Sequence, residues 1–179
     1  MIDYNRIIDK YYQNQSRLRE ILITHSRLVA DKALKCAAVR NLAIDREFVE
    51  EAAMLHDIGI FLCDAPGILC FGDKPYICHG VEGSKLLQEE GLTRHALVCE
   101  RHTGAGLTIE DIKRQQLPLP LRDMTPVSLE EKLVCYADKF YSKSGNLEAE
   151  KSIEKVIASM ARHGEDTLNR FLALHALFG

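Results

Sequence analysis

Apolar residues recur three and four positions apart along nearly the whole chain, and no alternating apolar and polar run is long enough to compete with that period. An all-α fold is therefore expected. One amphipathic segment covers 2–13 and a long one 16–40, the latter with Leu18, Leu22, Leu28, Val29 and Leu34 on its apolar side. Asp45 reads as the N-cap of a helix ending at Asp57, with Gly59 placed where a helix C-terminus commonly takes a positive φ. Helices over 80–90 and 93–102 follow, the first stopped by Gly91 and the second capped by Thr93. Thr108 to Asp111 resembles a capping box opening a short helix that Pro118 and Pro120 end, and Ser128 to Glu131 resembles a better one. That second box opens a helix through Leu133, Val134, Tyr136, Ala137 and Phe140, and helical stretches at 147–162 and 166–178 complete the chain. Between 60 and 78 the pattern dissolves around Pro66, Gly67, Gly72 and Pro75, as expected of a long functional loop or lid.

At 179 residues the chain is long enough for one domain with a real core and short for two, so a single domain over 1–179 is expected. With 46% hydrophobic and 27% charged residues, disorder and low-complexity architectures are excluded. The net charge of -3, with no basic stripe, argues against duplex nucleic acid as a partner. Charge at Asp3 and Arg6 breaks any signal-peptide pattern, and no apolar run approaches the 18 or so residues of a membrane span. The six cysteines include no Cys-x-x-Cys pair and accompany no export signal, so reduced thiols in a cytoplasmic protein are expected.

The chemistry concentrates in six residues. His56 and Asp57 follow the apolar Ala52-Ala53-Met54-Leu55 and precede Ile58-Gly59, which delivers two metal-capable side chains to a buried position. His25 lies three or four positions from Ile21, Leu22, Leu28 and Val29, on the apolar face of its helix. His79 opens a helix beside Gly80 and Gly83, and His102 closes the next one. His56, His79 and His102 are spaced 23 residues apart, about one helix and a turn, so consecutive helices can each bring one imidazole to a common centre. Asp138 stands among apolar positions, where an unpaired carboxylate would be a liability. Four imidazoles and two carboxylates suit a pair of divalent transition metals, Fe, Mn or Zn, better than Mg.

The strings His56-Asp57-Ile58-Gly59, His79-Gly80-Val81-Glu82-Gly83, His102-Thr103-Gly104-Ala105-Gly106 and Ala137-Asp138-Lys139, with His25 ahead of them, resemble the HD superfamily of metal-dependent phosphohydrolases, specifically its HDIG-type members. The similarity spans 21–141 and implies a helical HD-domain bundle. It also implies that His25, His56, Asp57 and Asp138 hold one metal, that Asp57 bridges to a second held by His79 and His102, and that a bridging hydroxide is the nucleophile. The expected substrate is a small phosphoester, a nucleotide being one candidate. Two rivals share the scaffold: a mixed-valent di-iron oxygenase, and a noncatalytic nucleotide sensor whose ligand orders the 60–78 loop.

A phosphate substrate also calls for cations outside the metal shell. The candidates are Arg101 and Lys139, next to His102 and Asp138, with Lys74 on the loop and Lys85 on the His79 helix. Ile60 departs from the pattern, since many HDIG-type hydrolases carry a basic residue there, and this argues against a highly charged polyphosphate. His95, seven positions before His102, is read as packing or surface, with a role behind the metal ligands or as ligand to a third metal as the alternatives. His163 and His175 are read as structural or exposed, and Asp64 and Asp73 as solvated loop carboxylates.

Overall fold

The computed structural model describes residues 2–179. Nine α-helices occur among them: α1 (Tyr4–Tyr12), α2 (Ser16–Val39), α3 (Arg46–Leu55), α4 (His79–Glu89), α5 (Thr93–Arg101), α6 (Ile109–Arg114), α7 (Leu129–Asp138), α8 (Ile153–Ala161) and α9 (Glu165–Phe178). Side-chain caps set several of the starts. Asp45 accepts from the Phe48 amide at α3, and Ser152 accepts from the Lys155 amide at α8. Thr108 and Asp111 form a reciprocal capping box at α6. At α7 only half of the box forms: Ser128 takes the Glu131 amide, while the Glu131 carboxylate accepts from the Val127 amide and Arg101 instead.

Four local expectations are corrected. Thr93 lies inside α5, and Leu92 occupies the N-cap with no side-chain acceptor. Residues 147–152 stay outside the C-terminal helices because Ser152 starts α8 there. The helix before Asp57 ends at Leu55, and Gly59 has φ -87°. Glycine is needed at 59 for space, since a Cβ would stand 2.4 Å from both the Gly83 nitrogen and the His79 carbonyl oxygen. The stretch 60–78, finally, is folded into three 3-10 turns and a small sheet of β1 (Cys63–Ala65), β2 (Cys70–Phe71) and β3 (Lys74–Pro75) in the order β2-β1-β3. β1 runs antiparallel to β2, with Asp64 opposite Phe71, and parallel to β3, with Cys63 opposite Lys74. Strands of two or three residues are too short for alternation to show in the sequence.

Two large apolar clusters form most of the interior, beside a small third one of Val81, Ile112 and Met124. One gathers Val29, Ala33, Phe48, Val49, Leu133, Tyr136, Phe171 and Phe178, and the other gathers Ile8, Tyr12, Leu22, Leu55, Ile58, Ile60, Leu87 and Cys99. α2 and α3 run through both. His25 falls between Leu22 of the second cluster and Val29 of the first, and His56-Asp57 follows Leu55 and precedes Ile58. The polar residues thus occupy the seam between two dry regions.

α4 approaches α5 closely, for a Cβ on Gly80 would stand 2.6 Å from the Cys99 carbonyl oxygen. Backbone cannot yield as a side chain can, so Gly80→Ala is expected to cost about 1–3 kcal/mol and to lower Tm by about 2–12 °C. Gly67→Ala, where nothing lies within 4 Å, should leave Tm unchanged. Thermal melts followed by circular dichroism check both.

Candidate metal centre

Three of the four histidines sit where a helical turn ends. His56 is the C-cap of α3, His102 that of α5, and His79 that of the 3-10 turn 76–78. Each ring turns back to the carbonyl three residues before it, and the Tyr76 carbonyl takes the His79 amide as well. Nδ1 of His56 lies 2.6 Å from Ala53 O, that of His79 2.7 Å from Tyr76 O and that of His102 2.7 Å from Cys99 O. A carbonyl only accepts, so the Nδ1 of each ring carries a proton and donates it. Every Nε2 is thereby left to face the centre, in the orientation metal-ligating histidines adopt.

Two groups of potential ligands result: His25, His56, Asp57 and Asp138, and Asp57, His79 and His102. Asp57 belongs to both and has no exposure to solvent. Its Oδ2 lies 3.0 Å from His56 Nε2 and 3.3 Å from His25 Nε2, whereas its Oδ1 lies 3.4 Å from the Nε2 of each of His79 and His102. Asp138 Oδ1 completes the first group at 2.9 Å from His25 and 3.4 Å from His56. In the second group His79 Nε2 and His102 Nε2 are 3.0 Å apart. With both protons held on Nδ1, two lone pairs face each other there, and a cation between them removes the repulsion. Both Asp57 oxygens and His56 Nε2 are buried without a hydrogen-bond partner. Buried polar atoms of this kind, crowded in an imidazole and carboxylate set, fit a divalent cation.

The electrostatics separate the groups. Burial opposes charging of His56, but Asp57 and Asp138 outweigh it and push the imidazole up to about 9. Burial dominates at His79, taking it down to about 3, and also lowers His102. Burial would raise both carboxyls, yet His56 and Lys143 hold Asp57 well below the usual range, and Lys139 and Lys143 do the same for Asp138. The second group is accordingly neutral at its imidazoles and ready to ligate, while the first must release a proton from His56.

All six proposed ligands therefore meet in one place. The expected substrate cations are distributed differently. Lys139 is half-buried beside the centre, with Nζ 2.6 Å from Asp138 Oδ2 and 3.0 Å from His102 O. Arg101 pairs with Glu131 at 2.9 Å, Lys85 with Glu82 at 2.7 Å, and Lys74 with Asp73 at 3.6 Å, the last two on exposed surface. His95 bonds Glu51 and stacks edge-on to Phe48, and His175 bonds the Tyr136 hydroxyl. Asp64 and Asp73 are exposed.

Two residues at the centre were not marked by the sequence. Lys143 places Nζ 2.7 Å from Asp57 Oδ2, and Tyr76 stacks on His79 with ring centroids 4.6 Å apart. Both stand where helical periodicity fails, and the one local signal for Lys143 is its place five residues after Asp138. A cavity of about 380 Å³ reaches His79 and Lys139 and is walled by Tyr76, Ile77, Leu107 and Leu117. His163 lies on its rim.

A family model described as HD domain matches residues 22–143. An uncharacterized protein of Methanocaldococcus jannaschii is 34% identical over 140 residues, covering 76% of this chain and 75% of its own. A tRNA (cytidine(56)-2'-O)-methyltransferase of Picrophilus torridus is 31% identical over 76% of this chain but only 36% of its own length. The enzyme of the same name from Thermoplasma volcanium is 29% identical over 87% of this chain and 41% of its own. The chain thus spans less than half of either methyltransferase. No solved structure matches significantly.

Because His56 must lose a proton to ligate, protons compete with the cation below its raised pKa of about 9. Manganese affinity is expected to rise by up to about tenfold per pH unit from about pH 6, flattening near pH 9, with proton uptake by weak buffer following metal addition. Calorimetric titration in buffers of different ionisation enthalpy checks this.

Proposed function

The chain belongs to the HD domain family, and we propose that it is a metal-dependent phosphohydrolase acting on a small phosphoester, with a nucleotide as the candidate substrate. The observation that carries the reading is the division of one fully buried carboxylate between two ligand groups, Asp57 Oδ2 toward His25 and His56 and Oδ1 toward His79 and His102. That arrangement suits a pair of divalent cations, with Fe favoured and Mn or Zn as the other members of the imidazole-binding set. Such a pair supplies, when bound, a water acidic enough to attack at neutral pH and positive charge for the phosphate oxygens.

The protein's own residues do the positioning. The Ala53, Tyr76 and Cys99 carbonyls fix three imidazole planes, so the ligands are preorganised before any ion arrives. Lys139 holds Asp138 from its second oxygen and is itself anchored on the His102 carbonyl, which ties the α7 end to the α5 end. The Tyr76 ring covers one face of His79 and forms part of the wall of the 380 Å³ cavity. A recess of that size, largely apolar in its lining, suits the uncharged portion of a nucleotide more than a second phosphate. The methyltransferase relatives are named for a reaction on tRNA, which supports nucleotide chemistry in the substrate.

Asp57→Ala is expected to remove bound metal and lower hydrolysis by more than about 100-fold, while Lys113→Ala, an exposed change on α6, leaves both intact. Elemental analysis of the purified variants and phosphate release from a phosphoester panel under anaerobic conditions measure this. Oxygen consumption by the reduced iron form without phosphate release would instead make the chain an oxygenase.

A further inference from the structure

We propose that Lys143, delivered by the segment between α7 and α8, is the phosphate-binding cation of this site. The proposal rests on the hydrolase reading and extends it to a named substrate contact. Ile60 is fully buried in the apolar cluster with Ile58, Leu87 and Cys70, so nothing from that turn brings charge to the centre. Lys143 does. Its Nζ lies 2.7 Å from Asp57 Oδ2, and its side chain is 13% exposed, so it stands at the boundary between the ligands and the surface.

The lysines that the sequence singled out are placed differently. Lys139 has both Asp138 and the His102 carbonyl, and Lys74 and Lys85 pair with their own neighbours. Among the described residues Asp57 is the one carboxylate paired with Lys143. Oδ2 is also the oxygen that faces His25 and His56. Once that oxygen is committed to a divalent cation, an ammonium in the same place is repelled by the ion and lacks an anion of its own.

The space beside it is built for one. A recess of about 330 Å³ is lined by Lys143, Lys151, Ser142, Ser144, Tyr141 and Tyr76, with no acidic residue on its wall. Two ammonium groups and several hydroxyls around a recess that touches the metal-ligand cluster through Lys143 suit phosphate oxygens. The backbone there is secured by Lys151, whose amide donates to the Phe140 carbonyl and whose Nζ donates to the Tyr141 carbonyl. Tyr76 lines both this recess and the apolar cavity, so one ring separates a phosphate side from a leaving-group side.

The test is calorimetric titration of inorganic phosphate into the manganese-loaded full chain, with metal content measured on the same samples. Lys143→Gln is expected to weaken phosphate binding about tenfold or more at unchanged metal content, Lys143→Arg to stay within about threefold of wild type, and Lys151→Gln to weaken it by a smaller factor. Equal phosphate affinity in wild type and Lys143→Gln would overturn the proposal. So would loss of metal from Lys143→Gln with its melting temperature intact, since the lysine would then serve the ligands and not the phosphate, and so would absence of phosphate binding to wild type. If wild type binds phosphate through Lys143 yet hydrolyses nothing in the phosphoester panel, the hydrolase reading fails and the Lys143 assignment stands.

Discussion

A carboxylate that no water reaches has to be neutralised where it stands, and Asp57 is such a group. It has no exposure, and four imidazole nitrogens and one ammonium lie within 3.4 Å of its two oxygens. Each neighbour comes from a different part of the chain: His25 from α2, His56 from the end of α3, His79 and His102 from the two ends that meet across α4 and α5, and Lys143 from the segment after α7. Burying a charge at this depth is costly unless cations surround it. The helices are therefore arranged around a charge they can tolerate only together.

The packing makes this possible. A polar layer lies between two apolar clusters, and the residues on either side of it are fully buried, Leu22 and Val29 around His25, Leu55 and Ile58 around His56-Asp57. Water is excluded, which strengthens every interaction among the charged groups. Close backbone approach then sets distances. Gly59, Gly80 and Gly83 let the α3 end, α4 and α5 come within contact of one another, and His79 and His102 face each other as a consequence. The helix ends add orientation, because the carbonyl three residues before each of these histidines accepts its Nδ1 proton.

The ligand set was legible in the sequence because its members break a pattern. His25 on an apolar face, His56-Asp57 after four apolar residues and Asp138 inside an apolar helix all contradict the hydrophobic period around them, and such contradictions carry information. The helices were legible from the unbroken period itself, and the caps at Asp45 and Thr108 came with them. What was not legible lies where no period exists. Lys143 and Tyr76 stand in irregular segments, and their approach to Asp57 and His79 depends on how chain ends fold back. The β1, β2 and β3 strands are too short to alternate. Gly59 illustrates a different gap: the sequence shows a glycine after a helix, but only the packing shows that it yields space to the Gly83 nitrogen and the His79 carbonyl, with φ at -87°.

Lys143 and His56 stand against Asp57 where a divalent cation would also be held. Anomalous diffraction from crystals of the manganese-loaded chain would test this most directly. Two peaks about 3.5–4 Å apart, one on the Oδ2 side toward His25, His56 and Asp138 and one on the Oδ1 side toward His79 and His102, are expected, with the Lys143 ammonium displaced from Asp57. No peak at saturating manganese, or a single peak away from Asp57 with Lys143 still on that carboxylate, would contradict the account.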